Sequence, residues 1–322
     1  MIVVWRITER CNLACGFCAY DRRLPFARRD VAADQVERFA PILADYQKTS
    51  GDKVLLSWIG GEPLLWKPFF GLSKWLNNTL GIAVSTTTNG TTLHLQQTRD
   101  GILEQLTELT VSVDGLAPFH DDVRNWQGGW ERLRASIIAL ARQRDATQSR
   151  LKLRANVVLM HDNLGQFEAL CDELASWGID EITFNQLGGR DRPEFFSAHR
   201  LTRTDAEALG RLVPALQKRL VSRGIRLCAS PSYLERIESS AADRPLPVSD
   251  CSPGQRFLFI DEKGLLSPCN FTAAEFGVPL QEIRNVSDLL ALPQIFSSRQ
   301  KHCRPAVCQD CPSTQVFAKF AS

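Results

Sequence analysis

Three thiols stand close together near the start of the chain: Cys11, Cys15 and Cys18, in the stretch CNLACGFC. They are one short of the four ligands that close a structural metal site. They are also too crowded for ordinary core packing. Iron–sulfur cubes are held by cysteine thiolates, normally one per iron, so three thiols leave one iron without a protein ligand. A catalytic zinc ion keeps a coordination position open in the same way. A small molecule with an amine and a carboxylate could chelate that open iron. The competing use of the three thiols is a zinc site completed by a histidine from elsewhere.

A second set lies toward the other end: Cys251, Cys269, Cys303, Cys308 and Cys311. Cys308 and Cys311 form a C-x2-C pair, a spacing that lets two thiolates grip one centre. Seventeen residues separate Cys251 from Cys269, which does not fit the paired C-x2-C of a zinc ribbon. Two further cysteines stand alone. Cys171 shares a helix face with Leu170 and Leu174 and reads as core; Cys228, at a strand end, reads as core or as a thiol on the substrate side.

The elements that must position these groups follow from composition and periodicity. The chain has 322 residues, 44% of them hydrophobic and 23% charged, with a formal net charge of +2. That length suits a large α/β domain with a smaller appendage, and the near-neutral charge gives no argument for nucleic acid or a membrane surface as partner. The opening MIVVWRITER is too short for a signal peptide, and no run approaches the ~20 apolar residues of a membrane span. A cytoplasmic location is expected, where ten cysteines serve as thiols or ligands rather than disulfides.

From IVVWRI to EITFNQL, strand-like runs alternate with helical patterns six times. Such alternation implies a parallel sheet covered by helices, with right-handed crossovers that curl it toward a barrel. Six units are fewer than the eight of a closed barrel, so the expected fold is an open, partial (β/α)6 barrel with a small cysteine-rich C-terminal domain. The expected boundaries are 1–200 for the barrel, 201–250 for a helical connection and linker, and 251–322 for the cysteine-rich domain. RFLFIDEKGLLSPC, in the last segment, reads as a hairpin. Function should collect at the C-terminal strand ends, where the cysteine loop, GGEP, TTNG, SVDG and NQLGGR fall.

CNLACGFC resembles the C-x3-C-x-aromatic-C signature of the radical S-adenosylmethionine superfamily, with Phe17 in the aromatic place. The resemblance extends over GGEP, TNG and SVDG with the later HDDVR. It implies a 4Fe–4S cluster on Cys11, Cys15 and Cys18, with S-adenosylmethionine on the open iron. By the same resemblance Phe17 lies along the adenine, Gly60 and Gly61 let backbone carbonyls approach the methionyl ammonium, and Glu62 hydrogen-bonds it. Asn89 falls within the matched TNG motif. Ser112 and Arg124 would bind the methionyl carboxylate, Asp114 would contact the ribose, and Asn156 would lie near the adenosine. The implied reaction is reductive cleavage to methionine and a 5′-deoxyadenosyl radical, which takes hydrogen from an unactivated C–H group.

The second cysteine set is similar to the single-cluster (twitch) form of the auxiliary domains in this superfamily, rather than to the two-cluster (SPASM) form, which needs seven or more cysteines. That implies an auxiliary 4Fe–4S cluster on Cys251, Cys269, Cys308 and Cys311. Cys303 is then a substitute ligand, a thiol that returns hydrogen to a substrate radical, or inert; Cys228 is the other candidate thiol. The family's reactions include oxidation and epimerisation of sugars and amino sugars, and modification of peptides, with a flavodoxin- or ferredoxin-type reductant. A chain that opens directly on its first strand, with no leader-recognition domain, favours a small natural-product intermediate over a peptide. Asn185, Gln186, Arg190 and Arg192, after the sixth strand, face the pocket or form a solvated loop. Outside enzymology, the same residues suit an iron–sulfur electron carrier or redox sensor.

Overall fold

The computed structural model describes residues 1–320. Ten strands form one sheet: β1 Ile2–Thr8, β2 Leu55–Gly60, β3 Ala83–Thr88, β4 Glu108–Ser112, β5 Lys152–Leu159, β6 Glu181–Gln186, β7 Arg226–Cys228, β8 Phe257–Ile260, β9 Leu265–Ser267 and β10 Val278–Pro279. Their order is β10-β9-β8-β1-β2-β3-β4-β5-β6-β7. Neighbours from β8 through β7 are parallel, whereas β8–β9 and β9–β10 are antiparallel. Among the described residues no pairing joins β7 to β8, so the array stays open.

The six expected units are β1 to β6. The parallel array is longer than that reading because two short strands from later segments join it. β7 adds to β6, and β8 lies beside β1 with Ile2 opposite Phe257. The expected hairpin is β8–β9. It turns at Gly264, whose φ of 80° suits glycine, while Asp261 Oδ1 accepts from the backbone N–H groups of Lys263 and Leu265. The first strand of the cysteine-rich segment is thus a strand of the main sheet.

Helices cover the outer face. Ala33–Ser50 buries Val36, Phe39, Ala40, Leu43 and Tyr46 at helical spacing and stops at Gly51 in the left-handed conformation. In β5, Leu153, Ala155, Val157 and Leu159 are fully buried on the helix side, while Lys152, Arg154, Asn156 and Val158 alternate onto the inner face. The inner face is therefore polar. Near the N-terminal ends of β4 to β7, Arg154 pairs with Glu108 (3.1 Å) and Glu181 (2.5 Å), and Arg226 also reaches Glu181.

The C-terminal segment closes this side of the lumen. Ser230 and Ser232 hydroxyls donate to the Phe317 carbonyl (2.8 and 3.0 Å), and Arg226 donates to that of Phe320. Lys319 Nζ donates to Asn185 Oδ1 (2.8 Å) and Asn156 Oδ1 (3.2 Å). The Lys319 ammonium has no acidic partner among the described residues. Burial pushes its pKa down to about 7. The unfolded lysine keeps its proton up to about 10.5, so the folded state is penalised below pH 7 and relieved as pH rises above it. Relative to Lys319→Met, the wild-type protein should gain stability between pH 7 and 9 by up to ~1.4 kcal/mol per pH unit, read from paired denaturant titrations. An unchanging difference would show that the ammonium is not penalised.

Candidate active site

The cysteine loop leaves the C-terminal end of β1 and is sewn to the turn after β2. Gly61 N–H donates to the Thr8 carbonyl (2.8 Å) and Glu62 N–H to that of Arg10 (2.7 Å). A Cβ at Gly61 would overlap the Arg10 carbonyl, so this seam requires glycine. Gly60, the last residue of β2, lies beside Thr8.

Glu62 is fully buried, and its carboxylate is consumed within the chain. Oε1 accepts from Thr88 Oγ1 (2.7 Å) and Leu64 N–H (3.1 Å), and Oε2 accepts from Asn89 N–H (2.7 Å). Through these bonds Glu62 fixes the ends of β2 and β3. Asn89, positioned by it, donates to Asn12 Oδ1 (2.9 Å) and toward Cys11 Sγ (3.7 Å).

Asp114 is also held by donors within the chain. Its Oδ2 accepts from Arg124 Nε and Nη2 (both 2.8 Å), and its Oδ1 accepts from Val158 N–H (2.9 Å). It is a buried partner of Arg124. Among the described residues Arg124 Nη1 has no partner, and the guanidinium lies 5.9 Å from the centre of the Phe17 ring. Cys15 Sγ approaches the Arg124 carbonyl at 3.9 Å. The structure thus gathers Cys11, Cys15, Cys18, Phe17, Asn89 and Arg124. Ser112 ends β4 on the inner face, half-buried, opposite Asn156 of β5. Asn156 accepts from Thr183, Asn185 and Lys319, deeper in the lumen.

Burial raises all three loop thiols above the usual range, Cys15 to about 12. They are neutral until a metal displaces their protons, so metal uptake here releases protons.

Two neighbours of this loop, Phe195 and Asp21, carry no signal in the sequence. Phe195, on the helix Pro193–His199, packs on Phe17 with ring centres 6.3 Å apart. Asp21 is buried and binds Arg23 (2.7 Å) and Arg192 (3.4 Å), which hold its carboxyl down near 2. Arg192 also approaches the Cys18 carbonyl at 3.5 Å. Arg190 instead lies over Phe271, 5.2 Å from the ring centre. Asn185 and Gln186 sit at the end of β6, half-buried.

Cys251, Cys269, Cys308 and Cys311 line one cavity of about 450 Å³, with Ile2 among its walls. Cys303 is absent from that lining. It is exposed at the C-cap of the helix Val286–His302, where water reaches it. Cys228 is buried on the inner face of β7, beside Thr183, and Cys171 is core. Among the described residues, no three His, Cys, Asp or Glu side chains converge on a single-ion site. The four thiols share the lining of one cavity.

Ile2 touches this cavity and Thr8 leads into the cysteine loop, so the two thiol sets lie at opposite ends of β1, a span of roughly 20 Å.

The family model for the radical SAM superfamily matches residues 5–174. The chain belongs to that superfamily, whose enzymes use a 4Fe–4S cluster and S-adenosylmethionine. An AdoMet-dependent heme synthase of Oleidesulfovibrio alaskensis is 23% identical over 96% of this chain and 82% of its own length. Among solved structures, SuiB of Streptococcus suis bound to S-adenosylmethionine superposes with a TM-score of 0.64, at 18% identity, over 97% of this chain and 72% of its own. The enzyme anSMEcpe with bound AdoMet gives 0.64 at 13% identity, over 99% and 84%.

Two variants test this geometry. Gly61→Ala should separate the cysteine loop from the GGEP turn and weaken S-adenosylmethionine binding at least tenfold, read by calorimetry on reconstituted protein; unchanged binding would show that the seam is dispensable. Asp114→Ala leaves the buried Arg124 charge unpaired and should cost about 3–5 kcal/mol in denaturant unfolding. A loss well under 1 kcal/mol would remove the pair's structural role.

Proposed function

We propose that the protein is a radical SAM oxidoreductase that takes two electrons from a small polar natural-product intermediate such as a sugar or amino sugar. One observation carries this reading: the two thiol sets stand at opposite ends of β1, with the polar inner face of the sheet between them. Ser57, Thr87, Thr110, Ser112, Asn156 and Asn185 belong to that face by strand register, and hydroxyl and amide groups suit a hydroxylated substrate. The heme synthase relative, matched along nearly the whole chain, also favours a small molecule over a peptide.

In this reading Cys11, Cys15 and Cys18 hold the first 4Fe–4S cluster, and Cys251, Cys269, Cys308 and Cys311 hold an auxiliary one. Arg124 Nη1 takes the methionyl carboxylate and Phe17 flanks the adenine, with Asp114 orienting the guanidinium. Bound there, the cofactors supply a 5′-deoxyadenosyl radical by reductive cleavage and an acceptor for the second electron. The chain holds the target carbon in reach and excludes water; Phe195 covers Phe17 on one side.

Epimerisation is the second reading, favoured by the buried, inward-facing Cys228 as hydrogen donor. A peptide is the alternative substrate: one SuiB structure holds its precursor peptide SuiA, and that protein shares this fold.

Anaerobically reconstituted protein with S-adenosylmethionine and dithionite should release 5′-deoxyadenosine, and Cys15→Ala should abolish it. No release from iron-replete protein would leave the electron-carrier or redox-sensor reading. With a turned-over substrate in heavy water, oxidation gives a product two hydrogens poorer with no deuterium at carbon. Deuterium at an inverted carbon would replace oxidation with epimerisation.

A further inference from the structure

The four thiols around the second cavity are not equivalent. Gln300 Nε2 donates to Cys251 Sγ at 3.6 Å, from within the helix Val286–His302. Thr272 Oγ1 lies 3.3 Å from Cys269 Sγ. Cys308 and Cys311 have no side-chain donor among the described residues. Both polar groups are committed to sulfur, with no other side-chain partner among the described residues. Thr272 is the more telling of the two. It occupies the N-cap of the short helix Ala273–Phe276, where a threonine hydroxyl ordinarily accepts from the first-turn N–H groups, yet it makes no cap bond. It is 2% exposed and turned to the thiol instead. A thiolate ligand can only accept, so with metal bound the Thr272 hydroxyl must donate.

We propose that Gln300 and Thr272 set the reduction potential of the auxiliary site by hydrogen-bonding its Cys251 and Cys269 sulfurs, poising it to accept an electron from substrate. This rests on the reading of that site as a 4Fe–4S centre. A donor at a ligand sulfur stabilises the more negative, reduced state and so raises the potential.

The test isolates the auxiliary site by substituting Cys11→Ala, Cys15→Ala and Cys18→Ala together. Anaerobic reconstitution of this protein should leave about four irons and four sulfides per chain; none bound would overturn the cluster assignment and the proposal with it. In the same background, Gln300→Leu and Thr272→Val should each lower the midpoint in an EPR-monitored redox titration at unchanged iron content. The double variant should be reduced about tenfold less favourably, about 59 mV for a one-electron couple. Thr272→Ser, which keeps the hydroxyl, should return the potential toward the starting value even if Gln300→Leu fails to retain iron. Unchanged midpoints at full iron loading would overturn the tuning role and leave the cluster assignment intact.

Discussion

A single buried carboxylate fixes the geometry at the top of the sheet. Glu62 accepts three hydrogen bonds at once, from Thr88, Asn89 and Leu64, and its own N–H reaches the Arg10 carbonyl. The ends of three neighbouring strands are thereby held in one constellation. Leaving such a group without its donors would strand a buried acceptor, which is costly even for a neutral polar group and more so for a carboxylate. Burial alone would push Glu62 toward its protonated form, and the three donors oppose that. The cysteine loop inherits its position from this arrangement through Gly61 and Asn89.

The Asp114–Arg124 pair repeats the logic one strand further along. The carboxylate is spent on orientation so that the guanidinium can present an unused edge beside Phe17. Two acidic residues next to the loop thus neither ligate metal nor face solvent. They restrict neighbouring side chains of the candidate site to one geometry before any ligand arrives.

How far the sequence could be read depends on whether the relevant contact is local. Thiol spacing, the glycine pair and the strand–helix rhythm are local, and they located the cysteine loop, the GGEP turn and the six parallel units. Polar residues at strand ends are ambiguous, because Glu62 and Asp114 look the same in sequence whether they meet a ligand or a neighbouring strand. Phe195 and Lys319 come from distant segments, and nothing in their immediate surroundings marks them. Cys303 sits beside the C-x2-C pair in sequence but at the exposed end of a helix, outside the cavity that the other four thiols line. The pairing of β8 with β1 was equally illegible, since a four-residue apolar run does not name its partner.

That last pairing bears on how the chain reaches its native state. β1 lies between β2 and a strand roughly 250 residues later in the sequence. Until β8 docks, one side of β1 is an unpaired edge, open to association with other chains. Contacts of such long sequence separation are slow to form, because closing the intervening loop costs entropy before the contact repays it. Acquisition of the fold should therefore be paced by its slowest strand to arrive, and vulnerability to aggregation should be greatest while that strand is missing.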